Sequence, residues 1–348
     1  MMRRGGFVYI SILGVALIIM LSLDIVTVPV EAATGLLPPA DPPLVRHYYK
    51  KLNTCANVES FVQFQVKRFW DNNPAIAPKL LKLLYTDCMV TGCDASILLD
   101  GPQSEKTAPQ NSGVGPGVYV VIDIIKRVLE ARCPRAVSCA DILHLATRDA
   151  LRLSGAPSYP VLLGRRDGFE SNSASVNLPS PSISWQAALE FFKSKGLDVQ
   201  DMSTLLGGHT MGSTHCSYIL DRLYNFNKTG KPDPTMNKSL LKDLQKTCPL
   251  INKKRQSQQL VFLNPDNAKN YRFNNTYYKR VLANKSLLGV DQQLLYGSDT
   301  NELTDQYANY FEDFRRGFAL SITRMGGIQV LTGKKGEIRR NCRVRNKS

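Results

Sequence analysis

The sequence predicts a mainly α fold. Apolar residues recur at helical spacing in five long stretches, strand-like alternation is scarce, and no internal repeat is evident. With 348 residues, 43% hydrophobic and 21% charged, the chain can form one large domain or two small ones with a real core. Neither a disordered nor a collagen-like class fits this composition.

Met1–Gly6 carries Arg3 and Arg4, Phe7–Leu23 is apolar, and Val30-Glu31-Ala32 ends in a small residue. This pattern predicts a secretory signal over 1–32, cleaved after Ala32. The competing reading is an uncleaved membrane anchor, because an apolar run of 17 is long for a signal core. Residues 33–43 are Pro-rich and read as an extended entry segment. Glu59–Trp70 places Phe61, Val62, Val66, Phe69 and Trp70 at helical spacing. Asn73-Pro74 suggests an N-cap and a first-turn proline, opening a helix through Leu80, Leu81, Leu83 and Leu84 towards Cys88. Val118–Glu130 and Ser138–Ser154 are also helical. The second opens on a Ser138…Asp141 capping box and stops at Gly155. Ser158–Gly168 is the best strand candidate. Thr304–Met325 repeats Tyr307, Tyr310, Phe311, Phe314, Phe318 and Ile322 on one helical face.

The formal charge is +15, and it survives removal of 1–32, which takes away two arginines and two acids. The tail 334–348 holds seven Lys or Arg against Glu337 alone. Such a surface attracts polyanions. Nucleic acid is excluded for a secreted chain, which leaves anionic cell-wall polysaccharide, or simply a solvated charged face. Eight cysteines, an even number behind a signal, predict disulfides, and spacing alone leaves 105 pairings open. None has zinc-type spacing. Sequons stand at Asn227, Asn237, Asn274, Asn284 and Asn346.

Six segments in order resemble the secreted plant-type (class III) haem peroxidases: LLKLLYTDCMVTGCDASILLD at 80–100, VSCADILHLATRDAL at 137–151, LLGRRDG at 162–168, NLPSP at 177–181, LLGGHTMGSTHC at 205–216 and MGGIQVLTGKKGEIRRNC at 325–342. The resemblance covers nearly all of the chain after the signal. It implies an all-α haem peroxidase fold over 44–345, with two helical subdomains sandwiching haem b. It also implies the pairs Cys55–Cys133, Cys88–Cys93, Cys139–Cys342 and Cys216–Cys248.

His209 matches the family's axial haem ligand, and Asp291 matches the carboxylate that holds its other ring nitrogen. His47, in the entry region, His144, at a family alanine, and His215, beside Cys216, match no ligand position. Asp87, Val90, Gly92, Asp94 and Ser96 match the distal calcium ligands, with Glu105 as support. Their oxygens suit a hard cation. Pro179 matches the residue lining the aromatic-donor site.

Two breaks set the functional expectation. The family reads approximately LLRLHFHDC where this chain has LLKLLYTDC, so Lys82 and Thr86 occupy the positions of the arginine and histidine that split peroxide. Four apart, they share a helix face. Threonine cannot relay a proton near neutral pH, and lysine keeps the charge without the planar fork. Asn111 matches the residue orienting the missing histidine. Tyr85 replaces a phenylalanine and is a poor base. The second break is at the proximal calcium site. Thr210 is retained, but LNPDNAKNYRFNN at 263–275 places either Asp266 or Asn264 at the first carboxylate, Lys269 at a threonine and Asn274 at the second carboxylate. One calcium is therefore expected, and the second site, Thr210 with Asp266, should be weak or absent.

The expected protein is a secreted monomer of this family, whose reaction is hydrogen-peroxide-dependent oxidation of phenolic donors, with very weak or absent turnover. The alternatives are a functional peroxidase with a different distal arrangement, and a non-catalytic cell-wall glycoprotein.

Overall fold

The computed structural model describes residues 40–250, 259–267 and 271–347. The expected signal at 1–32, most of the entry segment and Lys269 lie outside these residues. Among the described residues, no helix is long and apolar enough to cross a membrane.

The body is mainly helical. Helix α1 (Val58–Asn72) and helix α2 (Ile76–Cys88) pack on the central helix α4 (Cys139–Leu153), with α3 (Pro116–Arg132) alongside. Val58, Val62 and Val66 of α1 are buried at four-residue spacing, and Trp70 Nε1 donates to Ser154 Oγ at 3.1 Å. Helix α2 begins later than Asn73-Pro74 suggests. Asn73 Oδ1 accepts Ala75 N–H at 3.1 Å and closes a turn ahead of the helix, whose N-cap is Ala75.

The start of α4 corrects a second expectation. Ser138 Oγ accepts Asp141 N–H at 3.1 Å, but Asp141 does not reciprocate. Its fully buried carboxylate is taken by Arg165 Nη1 (2.9 Å), Gly164 N–H (2.7 Å) and Tyr49 Oη (2.7 Å). These bonds also explain why Ser158–Gly168 is not a strand. Asp141 occupies the amide of Gly164, whose φ is 118°, so only isolated bridges form, such as Val45 with Leu163 and Arg166 with Leu331.

The second half carries α5 (Trp185–Ser194), α6 (Val199–Leu206), a short antiparallel pair β1 (Ser213–His215) and β2 (Leu260–Phe262), α7 (Lys238–Thr247) and α8 (Thr276–Leu282). The expected single helix over 304–325 is two: α9 (Ser298–Asn309) and α10 (Phe311–Met325). Tyr310 is extended (φ −121°, ψ 91°) and 64% exposed, while its carbonyl accepts Asp313 N–H at 3.1 Å. The bend lets Tyr307 and Phe314 enter one cluster with Tyr278 and Phe273, the last stacked on Phe314 at 4.7 Å.

All four implied disulfides are present. Cys139–Cys342 closes a separation of 203 residues, worth roughly 5 kcal/mol in the chain-entropy picture. The basic tail is partly structural. Arg339 is fully buried and donates to Ala95 and Gly168 carbonyls, and Arg343 pairs with Asp100 and Asp123. Of the sequons, Asn227, Asn284 and Asn346 are exposed, while Asn237 caps α7 through Ser239 and Leu240 N–H.

Gly207, after α6, faces the Tyr278 hydroxyl, and a Cβ there would lie 2.6 Å from Phe314 Cε2. Gly207→Ala is expected to destabilise the fold by about 1–3 kcal/mol through overpacking, read as a lowered thermal unfolding midpoint.

Candidate active site

Helix α6 opens on a reciprocal capping box. Asp198 Oδ1 accepts Asp201 N–H at 2.9 Å, and Asp201 Oδ2 accepts Asp198 N–H at 3.0 Å. It ends in the tight turn Gly207–Thr210, which delivers His209. The glycines allow close approach: a Cβ at Gly208 would lie 3.0 Å from Leu81 Cδ2 of α2. His209 Nδ1 lies 2.8 Å from Asp291 Oδ1, and the Tyr277 hydroxyl donates to the same oxygen at 3.0 Å. Asp291 accepts the Nδ1 proton, which leaves Nε2 as the nitrogen able to bind a metal. The ring keeps 33% of its surface accessible. Tyr277 was not singled out by sequence, since an aromatic residue at helical spacing reads as core.

The opposite wall is α2. Thr86 is fully buried, and its hydroxyl donates to Leu83 O at 3.1 Å, inside its own helix. Lys82 makes no hydrogen bond or ion pair with a described residue, and burial lowers the pKa of its amine. A Cβ at Gly113 would lie 3.7 Å from Lys82 Cε and 4.0 Å from His215 Cε1, so both side chains border the same glycine. Burial pushes the Tyr85 hydroxyl well up. Yet Leu81, Lys82, Tyr85, Leu206 and His209 each keep accessible surface. Leu81 and Leu206 give this accessible set its apolar part, and His209 Nε2, with Nδ1 held by Asp291, is the ligand atom that haem iron would take. Asn111 Nδ2 donates to Glu105 O at 2.8 Å, while its buried Oδ1 has no partner. Pro179 is half-buried in a segment tied to the Asp291 turn by Val290 N–H to Pro181 O (2.8 Å).

His47 and His144 are engaged elsewhere. His47 Nδ1 meets Glu59 at 2.7 Å. His144 is buried, its Nδ1 is 2.9 Å from Ala140 O, and burial and Arg165 hold its pKa well below the usual imidazole range. Its neighbours Cys88 and Cys93 are bonded to each other, so this trio is no metal site.

Below α2, Asp87, Asp94 and Glu105 gather three buried carboxylates. Asp87 accepts Ala95 N–H at 3.0 Å, and Asp94 accepts Ser96 N–H at 3.0 Å. Ser96 Oγ sits 3.2 Å from Thr91 Oγ1. Neither Glu105 oxygen has a partner, and burial pushes this carboxyl up to about 7. Asp87 is raised by burial and by the charges of Asp94 and Glu105. Three buried acids with an orphaned carboxylate fit a divalent cation. The backbone ligands fit less well. Val90 O accepts Lys195 Nζ at 2.8 Å, and Gly92 O accepts Asp94 N–H at 2.9 Å.

The second candidate cation site resolves in favour of Asn264. Asp266 is 67% exposed and lies 3.7 Å from Arg280, away from Thr210. Asn264 instead meets Thr210, Asn274 and Thr276. No described carboxylate faces Thr210 in this cluster, so it does not fit a divalent cation. Burying Asn264 rather than Asp266 avoids burying a charge.

A peroxidase family model matches residues 62–310. "Probable peroxidase 61" of Arabidopsis thaliana is 60% identical over 91% of this chain and 92% of its own length. "Probable peroxidase 26" of the same plant is 58% identical over 90% and 93%. "Peroxidase 57", also of Arabidopsis thaliana, is 41% identical over 83% and 89%. Agreement at this level, over a helical body with the expected disulfides, means that the protein belongs to the plant-type, class III peroxidase family.

Proposed function

We propose that this chain is a secreted haem protein of the peroxidase family in which hydrogen-peroxide-dependent oxidation of phenolic donors is very weak or absent. The observation that carries this is Thr86: its hydroxyl is spent on Leu83 O, at the position where the family places its acid–base group. His209 would hold the iron of haem b, with Asp291 and Tyr277 fixing its ring. Bound haem supplies the iron centre that exchanges electrons with peroxide. The chain's part is to move a proton from one peroxide oxygen to the other, and threonine has no pKa suited to that. Its loss costs about 10²–10⁴ in rate, roughly 3–5 kcal/mol. Lys82 supplies at most a point charge where a planar fork is needed.

A second reading has one observation in its favour. Lys82 is unpaired among the described residues, and burial lowers its pKa, which brings the amine nearer to acting as a base. On that reading peroxide consumption rises with pH as the amine loses its proton, and Lys82→Met abolishes it. A non-catalytic wall-binding role rests on the exposed sequons and on the basic residues left free by Arg339 and Arg343. One distal calcium is proposed at Asp87, Asp94 and Glu105, with Ser96 beside them.

Three outcomes are expected. His209→Ala abolishes the normal haem absorption spectrum and stoichiometry; a haem complement unchanged without added imidazole counts against the ligand. Thr86→His with Lys82→Arg raises the rate with peroxide by about 10²-fold or more, with the double change exceeding the two singles combined. Asn111 Oδ1, buried and unpartnered, is the acceptor such an imidazole needs. Stopped-flow kinetics reads this, and fast reaction of the unmodified protein refutes the inactive reading.

The third outcome concerns pH. A carboxyl whose pKa is raised on folding holds its proton longer when folded than when unfolded. Its contribution is therefore full below the unfolded value and lost as pH rises through the folded one. For Glu105 that window runs from about 4.5 to about 7. In chelator, the unfolding temperature falls as pH rises through this window, and calcium removes the fall. Equal pH slopes with and without calcium would place no cation at these acids.

A further inference from the structure

The turn that delivers His209 ends on Thr210, which is fully buried. Asn264 Nδ2 lies 2.6 Å from Thr276 Oγ1, 3.3 Å from Thr210 O, 3.4 Å from Thr210 Oγ1 and 3.5 Å from Asn274 Oδ1. Asn274 Oδ1 accepts from Thr210 Oγ1 at 2.8 Å, from Thr276 N–H at 3.0 Å and from Thr276 Oγ1 at 2.5 Å. Chemistry fixes both amide orientations. Thr276 N–H can only donate, so it must meet the oxygen of Asn274. The Thr210 carbonyl can only accept, so it must meet the nitrogen of Asn264. Each threonine hydroxyl then donates to Asn274 and is left to accept from Asn264. One neutral NH₂ group stands at the focus of four oxygens, three of them at 3.3–3.5 Å, beyond the roughly 2.3–2.6 Å of calcium coordination.

We infer that the Asn264 amide is a positioning group that does the work of a metal ion here. It holds Thr210, and through the chain His209, without any cation, and exchanging this amide for a carboxylate converts the cluster into a calcium site. Asn264→Asp removes the donors and turns an oxygen towards the Thr210 carbonyl and Asn274 Oδ1. Two such oxygens and a carboxylate repel one another until a cation enters between them. The added negative charge, with four neutral oxygens already converging, supplies the hard-ligand set that the described residues lack.

The test compares calcium content and unfolding temperature of the full chain and its Asn264→Asp and Asn264→Ala variants, each purified in calcium and then exchanged into chelator or calcium. Asn264→Asp is expected to retain one more calcium ion per chain than the unmodified protein. In chelator it should unfold at a lower temperature, and calcium should restore it. Asn264→Ala should unfold earlier in both buffers and leave the calcium content unchanged. An unchanged calcium content in Asn264→Asp overturns the inference, and so does loss of a calcium ion in Asn264→Ala, which would mean that a metal had been there already. A second readout, resting on the haem reading, is the iron–imidazole stretching band. It should shift in Asn264→Ala, and in Asn264→Asp it should shift in chelator and return with calcium. An unmoved band in Asn264→Ala overturns the link to His209. Metal counting does not need haem, so a protein that fails to take up haem defeats that reading without touching the amide claim.

Discussion

An imidazole on a tight turn points wherever its second nitrogen is held, and here one buried carboxylate does the holding. Asp291 Oδ1 receives both the His209 ring and the Tyr277 hydroxyl, so the ring is tied to helix α8 and to the turn after Leu288. Much of the second half exists to keep this geometry. Gly207 and Gly208 let the turn press against Tyr278 on one side and Leu81 on the other. The aromatic cluster around Phe314 fills the space behind. Contact of Gly208 with Leu81 sets helix α2 close against the His209 turn, and Lys82 and Thr86 stand on that same helix.

The two buried polar clusters meet one burial problem with different groups. Asp87, Asp94 and Glu105 bury three carboxyl groups with few donors to meet them, and burial raises the pKa of each. Asn264 Nδ2, Asn274 Oδ1 and the two threonines hydrogen-bond one another through amides and hydroxyls, while Asn264 Oδ1 is buried without a partner. A buried acid needs a counter-charge, whereas a buried amide needs only geometry. The first cluster is acidic and the second is neutral.

The helices at α1 to α4 were legible because their apolar residues repeat at fixed spacing, and the cysteine pairs followed from the resemblance. What was not legible turned on side chains competing for backbone groups. Asp141 took the amide of Gly164 and prevented a strand at 158–168. Asn73 closed its own turn instead of capping α2. Tyr310 breaks a helix that periodicity runs straight through, because the break sends Tyr307 and Phe314 into a shared cluster while leaving Tyr310 in solvent. The choice between Asn264 and Asp266 could not be read from spacing, since two alignments differed by only two residues. Burial decides it, and only the fold reveals burial.

Arg339 reaches from the far end of the chain to the carbonyl of Ala95, across 244 positions, and Cys342 is bonded to Cys139. The acidic loop is thus completed by residues synthesised long after it. Throughout translation its carboxylates lack this guanidinium, and helix α4 lacks its covalent partner. The amino-terminal helices can collapse early, but the loop cannot lock until residues 339–342 have emerged from the ribosome. Locking of the acidic loop therefore waits on distant residues, one arginine to dock and one cysteine to pair with Cys139.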